Sequence, residues 1–183
     1  LNSEIISADS RYFYRKMDIG TAKPDTNELE NIKHHLINIA NPDETISVAI
    51  FKQQVTEIIE NLHQASKIPI VVGGTGQYIH AILHNWEMPE LESDHELRKL
   101  LENYAERFGK FKLYQFLQKV DPEAAKIIDF RNLRRTVRAI EVMLKTGYRF
   151  SDQRKQQASN YSQKIIGIRW DRSVLFQRID DRI

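Results

Sequence analysis

The chain has 183 residues, 41% hydrophobic and 28% charged, with a formal net charge of +2; it is long enough to bury a real core and unlike a disordered or collagenous chain. Cysteine is absent, which excludes disulfides and thiolate chemistry and fits a reducing cytoplasm. No apolar run approaches the ~20 residues of a membrane span, and so small a net charge assigns no nucleic-acid surface to the chain as a whole.

Ile5-Ile6-Ser7-Ala8 reads as a short apolar strand that runs straight into Asp9, Ser10 and Arg11. In a parallel α/β sheet, groups just past a strand's carboxyl end are where ligands bind. The stretch to Pro24 is a loop by its Gly20 and Pro24, and residues 32 to 41 hold a short strand around His34-His35. Adjacent strand residues point to opposite sides, so that histidine pair makes a poor metal site, and no zinc-type cluster is present. Ser47 caps a long helix whose apolar residues Phe51, Val55, Ile58, Ile59 and Leu62 recur at helical spacing. A buried strand over 68 to 72 empties into Gly73-Gly74-Thr75-Gly76, and a helix follows from about 77 to 84. Strand, helix, strand, helix is the signature of a parallel sheet covered by helices.

After Trp86 the character changes. Met88-Pro89-Glu90-Leu91 is a linker, and from there to about Arg149 everything reads as helix. Ser93 with Glu96 makes a capping box, and Leu97, Leu100, Leu101, Tyr104 and Phe108 form a stripe ended by Gly109. Helices over 111 to 120, from Asp121-Pro122 onward, and over 132 to 145 follow. Residues 153 to 162 are a polar loop, and 164 to 170, with Ile165, Ile166 and Ile168, return to strand. An amphipathic helix starts at Asp171. The expected architecture is α/β: a parallel core over 1–87, an inserted helical domain over 88–160, and a return to the core over 161–183.

Three features carry chemistry. Asp9 offers a carboxylate that could accept a proton, although a lone aspartate after a strand more often caps the next turn. Thr75 offers a hydroxyl between glycines that permit close approach and positive φ; alone, such a segment more often means a tight turn. Arg131, Arg134, Arg135 and Arg138 fall at i, i+3, i+4 and i+7 on one helix face, with Leu133, Val137, Ile140 and Leu144 opposite. Four guanidinium groups without matching acids call for an anionic partner, and phosphate suits arginine's planar fork. The alternative is a solvated face paired with acids elsewhere in the fold.

Asp9-Ser10 with Tyr14, Met17-Asp18-Ile19-Gly20-Thr21-Ala22-Lys23-Pro24, and Gly73-Gly74-Thr75 closely resemble the bacterial tRNA dimethylallyltransferases. The resemblance runs over nearly the whole chain and implies a P-loop-NTPase-like core with an inserted α-helical domain. It implies transfer of a dimethylallyl group from its diphosphate to the exocyclic amine of the adenine 3′ of the anticodon. Asp9 would be the general base and Thr75 the leaving-group donor. Gly73, Gly74, Arg178 and Arg182 would bind the diphosphate substrate. Ser10, Arg11, Tyr12, Arg98, Arg134, Arg135, Thr136, Val137 and Arg138 would contact tRNA. Tyr12 stands where many members have glutamine. Mg²⁺, held largely by the diphosphate, is the implied cofactor, and a cytoplasmic monomer the implied setting.

The family's G-x-x-x-x-G-K-[ST] loop matches no stretch of the chain, which reads as an internal piece, inactive alone, with two exposed sheet edges. The alternatives are an adenylate (cytokinin-type) isopentenyltransferase, which needs no tRNA grip, a P-loop kinase relative, and a non-catalytic RNA-binding fragment. Gly73-Gly74-Thr75 favours the tRNA side, because cytokinin-forming enzymes tend to carry serine at the third position.

Overall fold

The structure, a computed structural model, describes residues 2–86, 93–152 and 159–181. The linker expected at 88–91, most of the polar loop at 153–162, and Arg182 lie outside them. The chain forms two compact units: Leu1–Asn85 with Ala158–Ile183, and Trp86–Gln157.

In the first unit, β1 (Ser3–Ser7) lies between β2 (His34–His35) and β3 (Ile68–Val72), both parallel to it. Ser3 pairs with Ile68 and Ser7 with Val72, so β1 and β3 end level. Between β1 and β2 lies α1 (Thr26–Asn31); α2 (Val48–Gln64) precedes β3, and α3 (Gly76–Leu83) follows it. Ser47 caps α2, its hydroxyl accepting from the Ile50 N–H at 3.2 Å. The cap contributes ~1 kcal/mol. Burying Phe51, Val55, Ile59 and Leu62 contributes ~1.5–3 kcal/mol each, so burial, not the cap, seats α2. Phe51, Phe13 and Tyr78 stack beside Ile6 and Ala8 at the centre of this core.

Residues 164 to 170 are not a strand. A strand exists through its ladder, and these residues pair with none of β1, β2 or β3; Ile166 is 78% exposed. Their alternation of isoleucines carried the sequence reading, but alternation supplies no partner. The final helix, α8 (Arg172–Asp180), buries no residue, contrary to the amphipathic packing expected of it.

The second unit is α4 (His95–Phe108), α5 (Lys110–Val120), α6 (Pro122–Ile127) and α7 (Leu133–Thr146). Leu101, Ala105, Leu113, Leu117, Val137 and Ile140 lie in its core. Asp94 caps α4 in place of the expected Ser93, accepting from Leu97 N–H at 3.0 Å while Glu141 accepts the Asp94 N–H at 2.8 Å. The inward row of α4 is the half-buried Leu97 with the buried Leu101 and Ala105. Leu100, Tyr104 and Phe108 form a second row that stays exposed, and on α7 Leu144 is exposed as well. Asp121, fully buried, caps α6 through Ala124 N–H and binds the N–H and hydroxyl of Ser151 at 2.9 and 2.7 Å. Among the described residues no helix is long and apolar enough to cross a membrane.

Candidate active site

The two strand exits are stitched together. Ala8 N–H donates to Val72 O at 2.7 Å, and Thr75 N–H donates back to Ala8 O at 3.3 Å. Past that stitch, Ser10 N–H donates to the Thr75 hydroxyl at 3.2 Å, and the Thr75 and Ser10 hydroxyls lie 3.5 Å apart. Thr75 occupies the N-cap position of α3, yet its hydroxyl makes no cap bond. Threonine at that position ordinarily accepts from the helix's own N–H groups. Here the oxygen is turned toward Ser10 instead.

Asp9 performs the capping expected of a lone aspartate: its Oδ1 accepts from Arg11 N–H at 2.8 Å. That bond fixes the carboxylate while Oδ2 meets no donor among the described residues. Capping and a further role for the second oxygen are therefore compatible. Gly73 lies against β1 so closely that a Cβ there would sit 2.3 Å from the Ala8 carbonyl carbon. Gly74 has open space around it. Neither adopts positive φ, so close approach, not backbone conformation, is what the glycines serve.

The loop after Asp9 is folded tightly by one side chain. Lys23, 3% exposed, donates to Tyr14 O, Asp18 Oδ1 and Asn38 Oδ1, each at 2.7 Å. The Tyr12 hydroxyl donates to Ala22 O at 2.5 Å, and Thr21 donates to Met17 O at 2.8 Å. Lys16, Ala22, Leu36 and Asn38 hold positive φ here without being glycine, a cost of order 1 kcal/mol or more each that such bonds must offset. The sequence marks Lys23 only as part of a pattern; its three partners come from separate turns.

In the second unit, the arginine face is not free of acids. Arg131 pairs with Asp129 at 2.5 Å, and Arg138 with Glu141 at 2.6 Å. Glu141 is fully buried and is also held bidentately by Arg98, Nε to Oε1 and Nη2 to Oε2, both at 2.9 Å. Burial pushes its carboxyl upward, but hydrogen bonds from Arg98, Arg138 and the Asp94 N–H outweigh this and hold it below the usual carboxylate range. Arg98 is thus a core-anchored arginine, not a merely solvated one. Arg134 and Arg135 have no carboxylate partner among the described residues. Thr136 and Val137 are buried, Thr136 donating to Asn132 O at 3.2 Å, so their side chains offer a ligand no surface. Glu141 continues the arginine face at i+3 from Arg138 and i+7 from Arg134; that spacing was the signal to find it. On exposed α8, Arg178 lies over the Trp170 ring, 4.7 Å from its centroid.

The family model of the IPP transferases matches residues 12–183. A tRNA dimethylallyltransferase of Herpetosiphon aurantiacus is 44% identical over all of this chain and 58% of its own length. That of Finegoldia magna is 46% identical over all of this chain and 59% of its own. The crystal structure of the full-length tRNA isopentenylpyrophosphate transferase of Bacillus halodurans superposes with a TM-score of 0.60 at 39% identity, covering 100% of this chain and 56% of that one. A eukaryotic dimethylallyltransferase acting on tRNA superposes with a TM-score of 0.75 at 30% identity, covering 99% of this chain and 45% of that one. The chain therefore spans a little over half the length of the curated relatives it matches. Both the parallel core and the helical unit fall inside these matches, and the chain belongs to the IPP transferase family.

Proposed function

We propose that the protein containing this chain transfers a dimethylallyl group from dimethylallyl diphosphate to the exocyclic amine of the adenine 3′ of the anticodon in tRNA. The observation that carries this reading is the joining of the Asp9 and Thr75 turns through the Ser10 N–H bond to the Thr75 hydroxyl. A carboxylate and a hydroxyl on one scaffold suit the two charge movements of prenyl transfer. The amine nitrogen bonds to the prenyl carbon, whose bond to the diphosphate oxygen breaks. Asp9 takes the amine's proton, and the Thr75 hydroxyl donates to the oxygen on which negative charge develops. Gly74, with open space about its backbone, lets a phosphate group come close. Ser10, Arg11 and Tyr12 line the approach of the adenine, which must leave its stack to reach Asp9.

Oxygen donors at this site are Asp9, Ser10 and Thr75, and among the described residues no group of three His, Asp or Glu gathers to form a cage. Without a carboxylate cage, such a set fits Mg²⁺ held mainly by water and the diphosphate. The ion would supply charge neutralisation on the leaving diphosphate. Arg134 and Arg135, with the exposed edges of Arg98 and Arg138, meet the phosphates of the anticodon stem-loop. On this reading the enzyme works in the cytoplasm.

Asp9→Asn tests the assignment, measured in the protein expressed from its complete gene. The amide keeps the shape and the bond from Arg11 but cannot take a proton. Turnover should fall ~10²-fold or more while tRNA affinity stays within about twofold. A loss below tenfold would leave Asp9 a turn cap only.

A further inference from the structure

Glu141 is fully buried in the helical unit, and it serves two arginines at once. Arg98 comes from α4 and Arg138 from α7, and both meet the same carboxylate at 2.6–2.9 Å. The Asp94 N–H, at the start of α4, completes the shell. Lys145 then reaches Asp94 at 3.3 Å, so two carboxylates, Glu141 and Asp94, face three cations, Arg98, Arg138 and Lys145. The cluster is left with one uncompensated positive charge. Each of the two arginine side chains is about one-third exposed, 31% for Arg98 and 32% for Arg138. One edge of each guanidinium is committed to Glu141, while about a third of each side chain remains open to solvent.

Resting on the reading of the protein as a tRNA-binding enzyme, we propose that Glu141 is a positioning residue for RNA. It locks Arg98 and Arg138 into one rigid pair whose remaining N–H groups donate to a backbone phosphate. A guanidinium anchored on one edge loses little further freedom when its other edge meets an anion, which is how preorganisation favours binding. Arg134, one turn before Arg138 on α7 and without a carboxylate partner among the described residues, extends the same phosphate-facing row. The acid on this helix face is therefore an organiser of its positive charge, not a neutraliser of it.

Glu141→Gln separates this from simple electrostatics. The variant gains one positive charge, so a face acting by charge alone should bind RNA as well as the parent or better, with a steeper salt dependence. Positioning requires the reverse: a Kd for an anticodon stem-loop RNA weakened roughly tenfold, read only on protein that circular dichroism shows folded, with KM for dimethylallyl diphosphate unchanged. Should Glu141→Gln fail to fold, Arg98→Lys and Arg138→Lys keep the charge and the acid but lose the planar fork. Each should weaken stem-loop binding several-fold at unchanged net charge. Equal affinity in the folded variants overturns the positioning role while leaving the tRNA reading intact. Absence of stem-loop binding by the parent protein itself overturns both.

Discussion

Gly73→Ala puts the closest contact of the site under load. The new Cβ would lie 2.3, 2.4 and 2.8 Å from the C, O and Cα atoms of Ala8. Ordinary contact begins near 3.4 Å, so the two strand exits must separate by about 1 Å. All three atoms are backbone, and no rotamer change relieves them. Separation also stretches Thr75 N–H to Ala8 O, already 3.3 Å, and Ala8 N–H to Val72 O. Overpacking costs ~1–3 kcal/mol and one lost backbone bond ~1 kcal/mol, ~2–4 kcal/mol together. At ~2–4 °C per kcal/mol for a chain of this size, Tm should drop by roughly 4–16 °C in scanning calorimetry. Prenyl transfer should drop with it, because the Thr75 hydroxyl moves away from Ser10. Gly74→Ala is the internal control: its Cβ meets nothing within 4 Å, so Tm should stay within about 2 °C. Any effect of Gly74→Ala should appear as a raised KM for the diphosphate. A Gly73→Ala protein melting like the parent, or a Gly74→Ala protein melting as low, would refute the steric reasoning.

Arg134→Gln and Arg135→Gln should each flatten the salt dependence of RNA binding by roughly one unit of log–log slope without lowering Tm, whereas Arg138→Gln should also destabilise the helical unit because it strips Glu141 of a partner; equal Tm for all three would contradict the buried pairing. Glu4 is held from the usual 4.5 down to about 2 by Lys67, then by His35, with Lys33 adding to them. A carboxyl depressed on folding stabilises above its unfolded value and loses that contribution as pH falls through its folded one. Melting of the parent and of Glu4→Gln should therefore differ most above pH 4.5 and converge toward pH 2; a pH-independent gap would show that the Glu4 contacts contribute no linkage.

Local signals were the readable ones. Ser47 and Asp121-Pro122 mark helix starts through bonds within a few residues, and both do so in the structure. Ile5 to Ala8 and residues 68 to 72 announce strands by composition alone, and their exits then place Asp9 and Thr75 near one another, but β3 is not the buried strand expected: Ile68 is 55% and Val72 53% exposed. Two failures were decided by partners distant in sequence. Asp94 displaced Ser93 as a cap because Glu141, 47 residues on, takes its N–H. Residues 164 to 170 carry a strand's pattern but have no ladder to join. Thr136 and Val137 stand among the arginines in sequence, and the family resemblance groups them with the RNA contacts. Helical rotation turns both inward, while Glu141, absent from every sequence argument, became the hub of that face.

The saturation of Lys23 has a chemical consequence. A lysine reacts with acylating reagents through a free lone pair, which its ammonium exposes only after losing a proton. All three protons of this ammonium are engaged, by Tyr14, Asp18 and Asn38, in a nearly closed setting. Those bonds must break and the enclosure must open before a reagent can reach the nitrogen, so Lys23 should be among the slowest lysines of the chain to be modified. Its labelling rate then measures how often the loop behind Asp9 opens. A ligand that closes over the loop should slow that rate further, and an Asn38→Ala exchange, freeing one proton, should raise it without touching Asp9.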